Sequence, residues 1–209
     1  MRAALLLILA TAFLTCACAD PAANKPKATT GNAAPEAETA KPANAETLAI
    51  TPENSKVDFV AAKVTRSHNG SFKRFNGSID LVDNAPEKSR VAFEVETNSI
   101  VTDDDGLTKH LQTPDFFDVA KFPKATFTST KIEPAGGSNY NVTGNFELHG
   151  IKKSITFPAA IQVGPDKATV NAEFSINRKD WGLIYAGKAD DLIKDGVVIK
   201  LNVNAARRK

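Results

Sequence analysis

The side chains best equipped to do chemistry in this chain are three histidines, two cysteines and a run of aspartates. Histidine can hold a metal or carry a proton. His68, His110 and His149 stand at no metal-ligand spacing, and no cysteine joins them. Each reads as a hydrogen-bonded or solvated side chain. Cys16 and Cys18 both lie in the first twenty residues, so the rest of the chain has no disulfide framework and no thiolate nucleophile. The run Asp103-Asp104-Asp105-Gly106 fails as a calcium loop, because Val101 takes the first ligand place and Gln112 the last. It fits the start of a helix, where carboxylates cap free amides and suit the dipole. There is no G-x-S-x-G, no phosphate-binding loop and no H-E-x-x-H. The expectation is no enzyme, no cofactor and no metal. A formal charge of +2 also argues against a nucleic-acid partner, and Arg207-Arg208-Lys209 reads as a solvated tail.

The aromatic residues say more. Phe supplies 12 residues, against 2 Tyr and 1 Trp. Phe59, Phe75, Phe93, Phe127, Phe146, Phe157 and Phe174 fall on or near apolar faces. Such rings can simply pack a core, or they can line a greasy cavity that needs no hydrogen-bonding groups. Taken alone, the pattern fits packing better, since most apolar faces are core.

The elements that would position these rings are strands. Tyr140, Val142, Phe146 and Leu148 alternate with polar residues, as do Ile151 to Val163, Ala168 to Ile176, Val197 to Val203, and Val91 to Val95. Period two with one apolar face marks antiparallel strands. His149-Gly150 reads as a hairpin turn. Parity shifts between Phe59 and Val60, and between Phe72 and Phe75, predict bulges or bends. One or two short helices are expected near Asp103 to Phe117, across one end of the sheet. About eight strands with one apolar face each make a sandwich or a barrel, and a barrel of that size can fill its interior or hold one small ligand.

The N-terminus reads differently. Met1-Arg2 followed by the apolar run Ala3 to Leu14 resembles a secretory signal. Ala17-Cys18-Ala19 suits ordinary cleavage before Asp20, whereas Leu14 to Cys18 resembles a lipobox with Cys18, or less well Cys16, as the lipidated residue. From Asp20 to Glu46 the chain is rich in Ala, Pro, Lys, Glu, Thr and Asn, with no aromatic residue. Such a stretch cannot bury enough apolar surface to order itself and reads as a disordered linker, able to reach on the order of 80 Å if fully extended. The division is therefore residues 1–19 as signal or lipobox, 20–46 as linker and 47–209 as a β domain.

Specific motifs carry a family resemblance. The stretch from Leu107 to Pro123, with Pro114-Asp115-Phe116-Phe117-Asp118 at its centre, resembles the signature of the YceI-like family. Ala125 to Thr130, Tyr140 to Gly150 and Ser175 to Gly182 match it in the same order. The resemblance covers Leu48 to about Val203. It implies an all-β fold: a single antiparallel, eight-stranded, lipocalin-like barrel with a helical element at one end. It implies a long apolar cavity for a polyisoprenoid or fatty-acid-like lipid, no catalytic residues, and a periplasmic protein, either soluble or anchored to a membrane through an N-terminal lipid. It turns the phenylalanines into candidate ligand-binding residues and adds Phe116 and Phe117 as a plug or gate at one end. The rival expectation is a structural or partner-binding module responding to envelope stress. One departure is that Asn54 precedes Ser55, where many members carry His.

Overall fold

The computed structural model describes residues 20–35 and 41–207. The expected signal segment, with Cys16 and Cys18, lies outside the described residues. Alternating apolar residues fold as strands throughout. In chain order they are β1 (Thr29–Gly31), β2 (Glu46–Ile50), β3 (Ser55–Ala62), β4 (Ser67–Phe72), β5 (Phe75–Val82), β6 (Ala85–Glu96) and β7 (Ile100–Thr102). Helix α1 (Asp105–Leu111) follows, then β8 (Lys124–Pro134), β9 (Asn139–Leu148), β10 (Ile151–Val163) and β11 (Lys167–Asn177). The last are β12 (Gly187–Lys188), β13 (Asp191–Leu192) and β14 (Gly196–Ala206).

One twelve-stranded sheet runs β2-β5-β6-β8-β9-β10-β11-β14-β3-β4-β7, with β1 joined to β10 off this path. Its named ladders are antiparallel. The sheet curls strongly into a half-barrel, so that β2, at one end of the order, comes beside β14. The expected count of eight is corrected to twelve. Short strands such as β2 and β7 carry too few alternating positions to register as a period.

Local chemistry accounts for the turns and the helix. His149 and Gly150 both have positive φ (51° and 73°), and Leu148 pairs with Ile151 across them. That is the two-residue hairpin expected, in the twist-matched form that needs φ > 0 at both positions. At α1 the Asp104 carboxylate accepts from the Leu107 N–H at 2.8 Å, and Asp105 occupies the first turn. One α-helix forms among the described residues, beside short 3-10 turns at Thr97–Ser99 and Arg178–Trp181. Asp191–Leu192 pairs with Gly187–Lys188 in a short hairpin.

Neither parity shift is a bulge. Phe72 ends β4 and Phe75 begins β5, so the chain changes strand between them. The β3–β4 ladder runs unbroken from Val57–Phe72 to Ala62–Ser67. Past Phe59, β3 reaches the rim, where Lys63 bridges Ile193 and Val64 N–H donates to Leu192. The register shifts lie elsewhere, at Asp80/Val82 and Ser129/Lys131.

The stretch expected to be a disordered linker is ordered over residues 20–35 and lies against the sheet. Lys25 pairs with Glu173 at 3.1 Å. Ser175 N–H donates to Pro26 O, and Ala28 N–H donates to Ser175 O, both at 2.8 Å. β1 pairs with β10, and the Asn145 amide accepts from Ala34 N–H at 2.8 Å while donating to Ala34 O at 2.9 Å. The composition is indeed too poor in apolar residues to build a core of its own. Backbone amides need no apolar side chain, however, and unpaired strand edges offer them partners.

A candidate apolar ligand-binding cavity

The inward residues of the curled sheet do not meet. They enclose a cavity of about 250 Å³. Phe59 of β3, Phe93 of β6, Phe127 of β8, Phe146 of β9, Phe157 of β10 and Phe174 of β11 line it. Phe116 and Phe117, just beyond α1, line its end. Phe75 does not. It is buried with its ring 5.3 Å from that of Phe93 and backs the wall. The remaining lining is almost wholly Val, Ile, Leu and Ala, together with Phe72.

Glycines on neighbouring strands help keep the space open. A Cβ on Gly70 would lie 2.1 Å from the Phe59 ring, and one on Gly144 would lie 2.5 Å from Phe127. Each ring therefore lies down across a glycine and hugs the wall instead of standing into the lumen. The rings also contact one another. Phe157 and Phe174 stack at 4.2 Å and 13°, and Phe127 lies 5.6 Å from Phe157.

The polar lining is confined to Lys63, His68 and Arg178. His68 is buried, with Nδ1 2.7 Å from Asp103. The Asn69 backbone N–H first, and the His68 ring second, hold the Asp103 carboxyl below its ordinary range. Lys63 Nζ donates to Asp191 at 2.8 Å and depresses that carboxyl likewise. Arg178 is a structural tie: it donates to the carbonyls of Leu183, Lys194 and Ile193. Burial pulls its guanidinium below the ordinary value, with Asp195 opposing. Its neighbour Trp181 is fully buried and donates to Phe146 O at 3.3 Å, so the motif around Asn177 to Gly182 anchors the wall.

Aromatic rings crowd the end beside α1. Phe116 packs against His110 and Tyr185 at 5.0 and 5.1 Å, and Phe117 against Phe72 at 5.9 Å. His110 bonds Asp115, and His149 packs at a tilt on Phe122 at 4.4 Å, so the three histidines do not converge. Among the described residues no group of three or more His, Cys, Asp or Glu could hold a metal ion. Asn54, where the family resemblance implied a His, serves its own turn by accepting from Thr51 N–H and donating to Ala49 O. Sequence reading missed Lys63, His68 and Phe72 as lining residues. The alternation in β4 could have exposed Phe72, but His68 and Asp103 are paired only by the fold.

A YceI-like domain model matches residues 48–205. Protein YceI of Salmonella arizonae is 35% identical over 120 residues, covering 54% of this chain and 62% of that protein. The chain thus spans 62% of the length of the first curated relatives it matches. The crystal structure of Burkholderia cenocepacia BcnA superposes with a TM-score of 0.68 at 26% identity, covering 75% of this chain and 99% of the other. A polyisoprenoid binding domain from Saccharophagus degradans, implicated in plant cell wall breakdown, superposes with a TM-score of 0.64 over 79% of this chain and 100% of its own. At 17% identity that likeness is one of fold.

Proposed function

The chain belongs to the YceI-like family, and on that premise we propose that its cavity binds the apolar chain of an amphiphilic lipid, polyisoprenoid or fatty-acyl, in the bacterial envelope and performs no catalysis on it. One observation carries the reading. The interior is an unfilled cavity of about 250 Å³ whose lining is carbon except at one end. A cavity of ~150 Å³ lined by Leu, Ile and Phe stays dry and accepts benzene, so this one is a home for hydrocarbon and a poor one for water. Each Å² of chain removed from water contributes roughly 25 cal/mol. No polar partner is needed along the chain, and Lys63 and His68 at the polar end suit a head group. The polyisoprenoid-binding description of the Saccharophagus degradans domain supports the ligand class.

The test is to fill the lumen from a lining position. Ala125, on β8, lines the cavity and is buried. If the space serves a ligand, Ala125→Phe occupies it, abolishes binding of a fluorescent polyene fatty acid, and leaves the melting temperature nearly unchanged. In a packed core the same change overpacks and costs about 1–3 kcal/mol. Loss of stability, together with no saturable binding by the unsubstituted protein, would favour a structural module.

A further inference from the structure

β10 and β11 pair over only part of their length. Ala160 to Val163 face Asn171 to Ala168, and there the ladder stops. Carried on in register, it would set Thr156 opposite Ser175. Instead Thr156 pairs with Thr29, and Ser175 is bridged by Lys27. The two strands part like the arms of a fork, and residues 26–31 lie between them. Pro158, which has no N–H to give, stands beside the fork. The arms open toward the rim where the Arg178–Trp181 turn meets the His149–Gly150 turn, at the polar end of the cavity.

Behind the fork lies the cavity. Ile155 and Phe157 on one arm, and Phe174 and Ile176 on the other, all line it. The stacked rings of Phe157 and Phe174 bridge the arms from inside, and Ala28 enters the same core from the strap. We propose that residues 26–31 are a removable strand closing a lateral opening, through which the lipid chain enters and leaves. The proposal rests on the lipid-binding reading and adds the route.

The strap is built to hold the opening shut while being cheap to remove. It satisfies the N–H and C=O of buried Ser175, which the fork would otherwise leave unpaired. Yet Ala28 is the one side chain among residues 20–35 that is fully buried. An element with few apolar contacts and a handful of backbone bonds opens well before the rest of a fold does. The mouth of the barrel at that same end, beside α1, is filled by the packed rings of Phe116, Phe117 and Tyr185. A chain leaving sideways displaces one alanine and several hydrogen bonds and parts the Phe157–Phe174 pair. A chain leaving by that end must unpack the aromatic cluster.

The strap can be locked. Thr29 and Thr156 lie directly opposite on an antiparallel ladder, a separation that a disulfide spans. The test compares Thr29→Cys/Thr156→Cys, oxidised and reduced, in a full chain that also carries Cys16→Ser and Cys18→Ser. The readout is uptake and release of a fluorescent polyene fatty acid by stopped flow. Oxidation should slow both rates by about tenfold or more, the factor produced by about 1.4 kcal/mol, with the equilibrium affinity little changed, and reduction should restore them. Asn145→Leu, which frees Ala34, should speed both rates. Uptake at a rate the lock does not alter overturns the lateral route and leaves lipid binding intact. Failure of every variant to take up the probe overturns the binding reading and the route with it.

Discussion

At the scale of single residues, the cavity depends on what lies under its rings. The Phe59 ring rests on Gly70, and the three atoms nearest to where a Cβ would be all belong to that ring. Gly70→Ala must therefore swing the ring off the wall, and the free space lies on the lumen side. The expected result is weaker binding of a chain-like probe and a stability loss of about 1–3 kcal/mol from overpacking. Adding Phe59→Leu should recover both, measured by probe titration and thermal melts. Failure of the second change to recover binding would mean the ring does not set the bore. The phenylalanines themselves were legible from the sequence, because a period of two sends same-parity side chains to one face. Phe75 shows the limit of that reading: parity places it inward, but its ring packs against Phe93 in the core and does not line the space. His68 was illegible, since its partner Asp103 comes from a distant part of the chain and either residue alone looks solvated.

At the scale of elements, α1 and β7 form a small cap fastened by carboxylates. Asp104 holds the Leu107 N–H, and Asp103 holds the Asn69 N–H and His68. Those bonds keep both carboxyls below their ordinary value of 3.8. A carboxyl with a depressed folded pKa adds stability that is present above its unfolded pKa and is lost as the pH falls through the folded one. Acidification below 3.8 should therefore loosen α1 before the sheet. Hydrogen exchange over residues 102–111, compared with β9, will show it. Asp104→Asn, which keeps a capping oxygen but cannot titrate, should blunt the change. Equal loosening of α1 and β9 would place the acid sensitivity elsewhere. The cap was visible in the sequence as a run of aspartates before Leu107. The strand count was not, because three-residue strands such as β1 and β7 carry no measurable period.

At the scale of the whole molecule, a sheet curls around hydrocarbon-lined space, and a segment of the chain's own N-terminal stretch fills the gap in its wall. Composition read residues 20–35 as part of a disordered linker, whereas they are ordered against the sheet. It could not say that the sheet leaves a vacancy for them, because that vacancy exists only once β10 and β11 diverge. Pro158, in the middle of an otherwise regular strand, was the one local sign of it. Lipid binding requires that a lipid occupy the cavity. Native mass spectrometry of the full chain, purified from its own host without detergent, measures that directly. The result expected is a one-to-one adduct that organic solvent releases as a single class of long-chain prenyl or acyl compound, and that Ala125→Phe does not carry. The contrary result is the bare protein mass, with no adduct forming on incubation with polyprenyl or fatty-acyl lipids.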